Sequence, residues 1–197
     1  MNSLSEVTLS EFQTALTPQN IRMIQIIQGA IGLGVVMFMG VVLFVYSSQT
    51  MNVDARITND DYDLINILTL AHIMVAAGVY TVARVVFNLL LSSSVLRNGV
   101  TKVMKDGQGR IIENPAEKIL VIIRSAMIVR LAMIEAPAIF GLVICLIATF
   151  NGTILETPSI WLNAITACIL IGFIILTFPN KERLEEIFNT RIAGTPV

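Results

Sequence analysis

Four long apolar blocks limit the folds open to this chain more than any other feature of its sequence. They run from about Ile21 to Tyr46, Leu64 to Leu91, Ile119 to Phe150 and Ile160 to Phe178. A helix that crosses a bilayer needs about 20 apolar residues, and each block is close to that length or longer. Only 14% of the residues are charged and the mean hydropathy is +0.78, whereas about a quarter of a soluble domain is charged. We therefore predict an all-α integral membrane protein, an up-and-down bundle of four helices that forms a single membrane domain over residues 1–197.

Basic residues in the segments between the blocks indicate how the helices are oriented. Retained Lys and Arg mark the cytoplasmic side of a membrane protein. Residues 94–118, between the second and third blocks, contain five of them: Arg97, Lys102, Lys105, Arg110 and Lys118. The other two loops contain only Arg56, and the tail, residues 179–197, adds three more. The expected location is the bacterial inner membrane, with residues 94–118 and both termini in the cytoplasm. No basic residue precedes Arg22, so we expect no cleaved signal peptide.

The second and third blocks are too long for one bilayer crossing at 1.5 Å per residue. We expect them to form a helical hairpin that extends into the cytoplasm. Asp106-Gly107, at its tip, is typical of a tight β-hairpin turn. In the tail, the spacing of Leu184, Ile187 and Phe188 predicts a weakly amphipathic helix that lies along the membrane surface.

Glu135 is the most informative single residue, because a carboxylate in a membrane segment is costly and often functional. It follows Arg130 by five residues, which places it about 7 Å into the membrane if the bilayer begins near Arg130. Arg84 on the second helix falls at a similar depth. We favour a structural charge cluster in which Arg84 or Arg130 pairs with Glu135. Ion or proton binding at Glu135 and simple exposure at the membrane interface are the alternatives.

Other polar and small residues predict packing rather than chemistry. Gly29, Ala30 and Gly34 lie close together on the first helix, and small residues let helices approach closely in lipid. Packing within the bundle is the favoured use, and homo-oligomerisation is the alternative. His72 is the only histidine. We expect it to be hydrogen-bonded to a neighbouring helix, because a zinc site needs three or four converging ligands. No metal and no cofactor is predicted.

The sequence of the third block resembles two known families of membrane proteins. The stretch that begins Glu135-Ala-Pro-Ala-Ile-Phe-Gly-Leu-Val143 resembles the carboxylate helix of the ATP synthase c subunit, which typically reads Glu-Ala-x-x-Ile-Tyr-Gly-Leu-Val. That resemblance implies that Glu135 is an ion-binding residue. A wider pattern, Arg-x-Ala-x-Ile-x-Arg-x-Ala-x-x-Glu-x-Pro-Ala-x-Phe, resembles four-helix membrane proteins of bacteria of the Bacteroidetes type, which implies no assigned activity. It is matched by Arg124, Ala126, Ile128, Arg130, Ala132, Glu135, Pro137, Ala138 and Phe140.

Several functional classes are disfavoured. The chain contains no P-loop, no dinucleotide fingerprint, no nucleophile elbow and no HExxH helix, and its net charge of −1 argues against a nucleic-acid partner. The leading hypothesis is a non-enzymatic inner-membrane protein, a structural or accessory subunit. Its expected partners are membrane lipids and either copies of itself or other subunits of a membrane complex. The alternative is an oligomeric, c-subunit-like protein that handles protons or sodium through Glu135.

Overall fold

The computed structural model describes residues 7–49, 57–105 and 109–193, and this part of the chain is almost wholly helical. In chain order the elements are α1 (Leu9–Ala15), α2 (Pro18–Gln49), α3 (Asn59–Leu90), α4 (Ser93–Thr101), β1 (Met104–Lys105), β2 (Ile111–Ile112), α5 (Pro115–Phe150), α6 (Thr153–Glu156), a 3-10 helix (Pro158–Ala164), α7 (Ile165–Leu176), α8 (Lys181–Phe188) and a π-helical turn (Asn189–Ala193). The all-α prediction is confirmed.

In the described part of the chain, four helices are long and apolar enough to cross a membrane: α2, α3, α5 and the continuous run Pro158–Leu176. Each corresponds to one predicted block. The α3 helix begins five residues before its apolar block because Thr58 and Asp61 cap it. The Asp61 carboxylate accepts from the Thr58 N–H at 2.9 Å, and the Asp61 N–H donates back to the Thr58 hydroxyl at 3.4 Å. Local capping therefore starts the helix ahead of its apolar part.

The chain forms two compact units. Unit 1 consists of Met1–Gln28, Ala83–Arg130 and Thr177–Val197, and unit 2 consists of Gly29–Val82 and Leu131–Leu176. Helices α2, α3 and α5 each contribute residues to both units. Whether the chain acts as a single membrane domain stays a prediction.

Unit 1 has an apolar core of its own, which was not predicted from the sequence. The core draws on α1, α4, the first turns of α5 and α8, and the rings of Phe12 and Phe188 stack in it at 4.4 Å between centroids. The α1 helix was not predicted, although Thr8 and Glu11 form the capping box that signals its start. The largest side chains that are buried in this core are Phe12, Ile24, Leu96, Ile119, Ile123, Leu184 and Phe188.

The β-hairpin and the tail helix were both predicted from local sequence patterns, and both lie in unit 1. Strands β1 and β2 pair antiparallel, with Met104 opposite Ile112, which confirms the β-hairpin. Its predicted turn at Asp106-Gly107 lies outside the described residues. The predicted tail helix is present as α8, but Leu184 and Phe188 are 0% and 1% exposed within the unit 1 core. Its apolar face therefore packs against protein, because α1 supplies the aromatic partner, rather than lying along a membrane surface.

Candidate functional site

His72 lies at the centre of a buried polar network in unit 2. It is carried by α3 and is 3% exposed. Its Nδ1 lies 2.9 Å from Oδ1 of Asn163 in the 3-10 helix, and its Nε2 lies 3.0 Å from the Pro137 carbonyl oxygen in α5. The prediction that His72 is hydrogen-bonded to a neighbouring helix is confirmed.

Asn163 and Thr166 complete the network. The Asn163 Nδ2 donates to the Ile160 carbonyl and to the Thr69 hydroxyl, both at 3.0 Å, so the Asn163 Oδ1 must be the acceptor that faces His72. The Thr166 hydroxyl lies 3.2 Å from His72 Nε2 and 3.0 Å from the Pro137 carbonyl oxygen. The network thus joins α3, α5 and the Pro158–Leu176 run through side chains that are almost fully buried.

The local sequence explains why these groups meet. Asn163 and Thr166 are three residues apart, which places both on one face of a helix. On α5, Gly141 is buried opposite them. A Cβ atom at that position would lie 2.0 Å from the Asn163 carbonyl oxygen and 2.9 Å from both His72 Cε1 and Thr166 Oγ1. Only glycine lets the backbone of the 3-10 helix approach α5 this closely. The Phe140 ring covers the imidazole edge-on at 5.6 Å between centroids.

Asn163 fixes the role of one ring nitrogen. Because the Asn163 Oδ1 is an acceptor, His72 Nδ1 donates the hydrogen bond between them. His72 Nε2 faces both the Thr166 hydroxyl and the Pro137 carbonyl. The network is therefore a structural clamp between the helices that carry these groups.

The predicted charge cluster is divided between the two units. Glu135 is half-buried on α5 in unit 2, and the described residues of that unit give its carboxylate no hydrogen bond or ion pair. Arg84 and Arg130 belong to unit 1. Arg84 is exposed, and the Arg130 guanidinium carbon lies 4.9 Å from the centroid of the Phe87 ring, a cation–π contact. The Arg84, Arg130 and Glu135 cluster stays a prediction.

The small residues of α2 lie on its exposed surface. Gly29, Ala30 and Gly34 are all exposed. A Cβ atom at Gly29 or Gly34 would meet nothing within 4 Å in the described part of the chain. Gly29 and Gly34 therefore have no close contact with the described residues, and the helix-packing role of this surface stays a prediction.

His72 could be selected from the sequence, but Thr166 and the Pro137 carbonyl were not predicted as its partners. The available signal was the pair of polar residues, Asn163 and Thr166, at helical spacing inside an apolar block. Among residues 7–49, 57–105 and 109–193, no three His, Cys, Asp or Glu side chains are placed to share a metal ion.

Comparisons with known protein families, with curated proteins and with solved structures found no match. Functional inference therefore depends on the geometry of the chain itself.

Proposed function

We propose that the chain is a non-enzymatic, multi-pass protein of the bacterial inner membrane, a structural or accessory subunit that acts through partners. The main observation that supports this proposal is the distribution of charged residues between the two units. Twelve of the 13 Lys and Arg residues, and eight of the 14 Asp and Glu residues, fall in the ranges of unit 1, which gives it a net charge of +4. Unit 2 has one Arg and six acidic residues, a net charge of −5. Because basic residues are retained in the cytoplasm, unit 1 is the cytoplasmic part.

The lengths of the helical segments in unit 2 support this assignment. Unit 2 takes 21 residues of α2, Gly29–Gln49, and 20 residues of α5, Leu131–Phe150. At 1.5 Å per residue these segments are each about 30 Å long, which is the thickness of the hydrocarbon core. We infer that unit 2 is the membrane part, arranged as an up-and-down bundle of four helices. The cytoplasmic hairpin is then formed by the end of α3, by α4 and the β-hairpin, and by the first turns of α5.

The state of the buried polar groups supports a non-enzymatic role. His72, Asn163 and Thr166 are hydrogen-bonded to one another and to backbone carbonyls. Groups that are engaged in this way hold helices together and are not free to meet a substrate.

The outer surfaces of α2 and α3 support a role through partners. In the most apolar 18-residue stretch of each helix, 17% of the stretch is buried in α2 and 11% in α3, compared with 50% in α5. These two helices therefore present most of their apolar surface to lipid or to other membrane helices. The exposed Ala30 and Gly34 have the small-xxx-small spacing that allows close helix contact. The proposed partners are membrane lipids and either further copies of this chain or subunits of a membrane complex.

Labelling of single cysteines tests the orientation. In a chain with Cys145→Ala and Cys168→Ala, one cysteine is placed at Asp60, at the start of α3, or at Arg97, on α4; both positions are exposed. We expect a membrane-impermeant maleimide to label Asp60→Cys in intact spheroplasts, and Arg97→Cys only after the membrane is opened. The reverse pattern would contradict the orientation, and labelling of both sites in intact spheroplasts would contradict membrane insertion.

Replacement of Gly34 tests the role of the small-residue face. Gly34→Leu is expected to fold as the parent does, because its Cβ meets open space. We expect its association with a second chain to weaken about tenfold, because leucine prevents close helix approach. Light scattering in detergent and cross-linking in membranes measure this. Gly78→Leu on α3, where a Cβ is equally unobstructed, is the control. If both variants associate as the parent does, this face makes no contact with partners.

A second candidate is an oligomer that handles protons or sodium through Glu135. One observation favours it: the Glu135 carboxylate has no hydrogen bond or ion pair within the described part of unit 2. A carbodiimide modifies protonated, lipid-accessible carboxyls. Labelling at Glu135 that fades as pH rises, is blocked by sodium and is lost in Glu135→Gln would replace our proposal with this one.

A further inference from the structure

A cavity of about 590 Å³ opens within unit 1. Its walls come from the start of α2, from β2 with the preceding Arg110, and from the first three turns of α5. Its volume lies in the range of about 300–1,000 Å³ that is typical of small-molecule sites. No residue of the His72 network and none of the predicted site residues lines it.

Two guanidinium groups line this cavity. Arg110 precedes β2 and Arg124 lies on α5, while Glu117 is the one acidic residue among the described lining residues. The Arg124 Nη1 lies 2.8 Å from the Met23 sulfur. A thioether is a weak acceptor, and a guanidinium carries five N–H donors. Arg124 therefore retains donors for a stronger acceptor, and the oxygens of phosphate and carboxylate groups match guanidinium geometry.

The cavity also has an apolar wall, which suits an amphiphilic ligand. Met23, Ile24 and Leu120 contribute to that wall. A phosphate that carries an acyl chain can therefore contact both the guanidinium groups and this wall.

We propose that this cavity binds a phosphate group through Arg110 and Arg124. The source is an anionic phospholipid headgroup or free phosphate, which share the chemistry that the guanidinium groups recognise. The phosphate chemistry follows from the cavity itself. Only the lipid source rests on the membrane location of unit 2 that is proposed above. If that location is wrong, binding of free phosphate is still expected.

The test uses the full chain, purified in a neutral detergent and freed of lipid. Binding of phosphatidylglycerol and of zwitterionic phosphatidylcholine is measured by native mass spectrometry, and binding of inorganic phosphate by titration calorimetry. We expect phosphatidylglycerol to bind at least tenfold more tightly than phosphatidylcholine if lipid is the source. We expect inorganic phosphate to bind alone, and to displace phosphatidylglycerol, if free phosphate is the source.

Two variants with opposite expected effects on binding separate a loss of binding from a loss of folding. Arg124→Gln should weaken binding of the preferred probe tenfold or more, because it removes charge-assisted hydrogen bonds. Glu117→Gln should strengthen binding, because it removes the carboxylate that repels phosphate. Arg97→Gln, an exposed position on α4 outside the cavity, is the matched control and should leave binding unchanged. Equal effects of Arg124→Gln and Arg97→Gln, or binding of neither probe, would overturn the proposal.

Discussion

Gly141→Ala is expected to lower the free energy of unfolding of unit 2 by about 3 kcal/mol, at the upper end of typical overpacking costs. The added Cβ would lie 2.0 Å from the Asn163 carbonyl oxygen. That oxygen is backbone, so it cannot move aside by a change of rotamer. To relieve the clash, the 3-10 helix must shift away from α5. The shift lengthens the contact of Thr166 with the Pro137 carbonyl and that of Asn163 with His72, so packing and hydrogen bonding are lost together.

Trp161, the only tryptophan, provides the measurement. It lies in the 3-10 helix of unit 2 and contacts the Tyr46 ring edge-on at 5.3 Å between centroids. Its fluorescence during denaturant unfolding in detergent therefore reports on the segment that must move. Gly172→Ala on α7 is the control, because a Cβ there meets nothing within 4 Å. We expect it to be neutral or to stabilise by up to about 1 kcal/mol. Equal stability of the two alanine variants would show that the close approach at Gly141 is not required.

The four long apolar helices could be predicted because their sequence signal is local. Length and hydropathy are properties of one contiguous segment, so each apolar block was found as a helix. The ends shifted where short polar caps extend a helix, as Thr58 and Asp61 do for α3. The β-hairpin and α8 were likewise found from local patterns.

The parts that escaped prediction depend on residues far apart in sequence. Phe12 lies near the start of the sequence and Phe188 near its end, and their rings stack in the unit 1 core. The sequence pattern alone therefore assigned the apolar face of α8 to the membrane surface instead of to α1. His72 is separated by 91 residues from Asn163 and by 65 residues from Pro137. That His72 is hydrogen-bonded to another helix could be predicted, because it is a lone histidine in an apolar block. Its partners could not be predicted, because no local sequence pattern connects them to His72.

Gly141 shows a second limit of sequence reasoning. In sequence it is one glycine in the apolar stretch that resembles the c-subunit helix, and nothing near it distinguishes it from Gly172. In the structure the two differ completely, because a Cβ clashes at Gly141 and is unobstructed at Gly172. The difference arises from the segment that packs opposite each glycine. A glycine that is required by close backbone approach is therefore identified by its tertiary contact and not by its neighbours in the chain.

His72→Phe is expected to lower the free energy of unfolding of unit 2 by about 3 kcal/mol. Phenylalanine keeps an aromatic ring in the site but removes both nitrogens. The Asn163 Oδ1 then loses its donor while buried, and an unsatisfied buried polar group costs about 1–3 kcal/mol. The bonds from the ring to Thr166 and to the Pro137 carbonyl are lost as well.

A double-mutant cycle separates the network from the packing of the ring. Asn163→Leu removes the stranded acceptor, so His72→Phe should cost less in that background, with a coupling energy of about 1–2 kcal/mol. Asn66→Leu, an exposed asparagine on the same helix as His72, should show no coupling to His72→Phe. Fluorescence of Trp161 during unfolding measures each corner of both cycles. Strict additivity of His72→Phe and Asn163→Leu would mean that His72 contributes only its volume. Coupling confined to Asn163 would establish that the hydrogen-bonded histidine joins α3 to the Pro158–Leu176 run, because that coupling needs both side chains in contact.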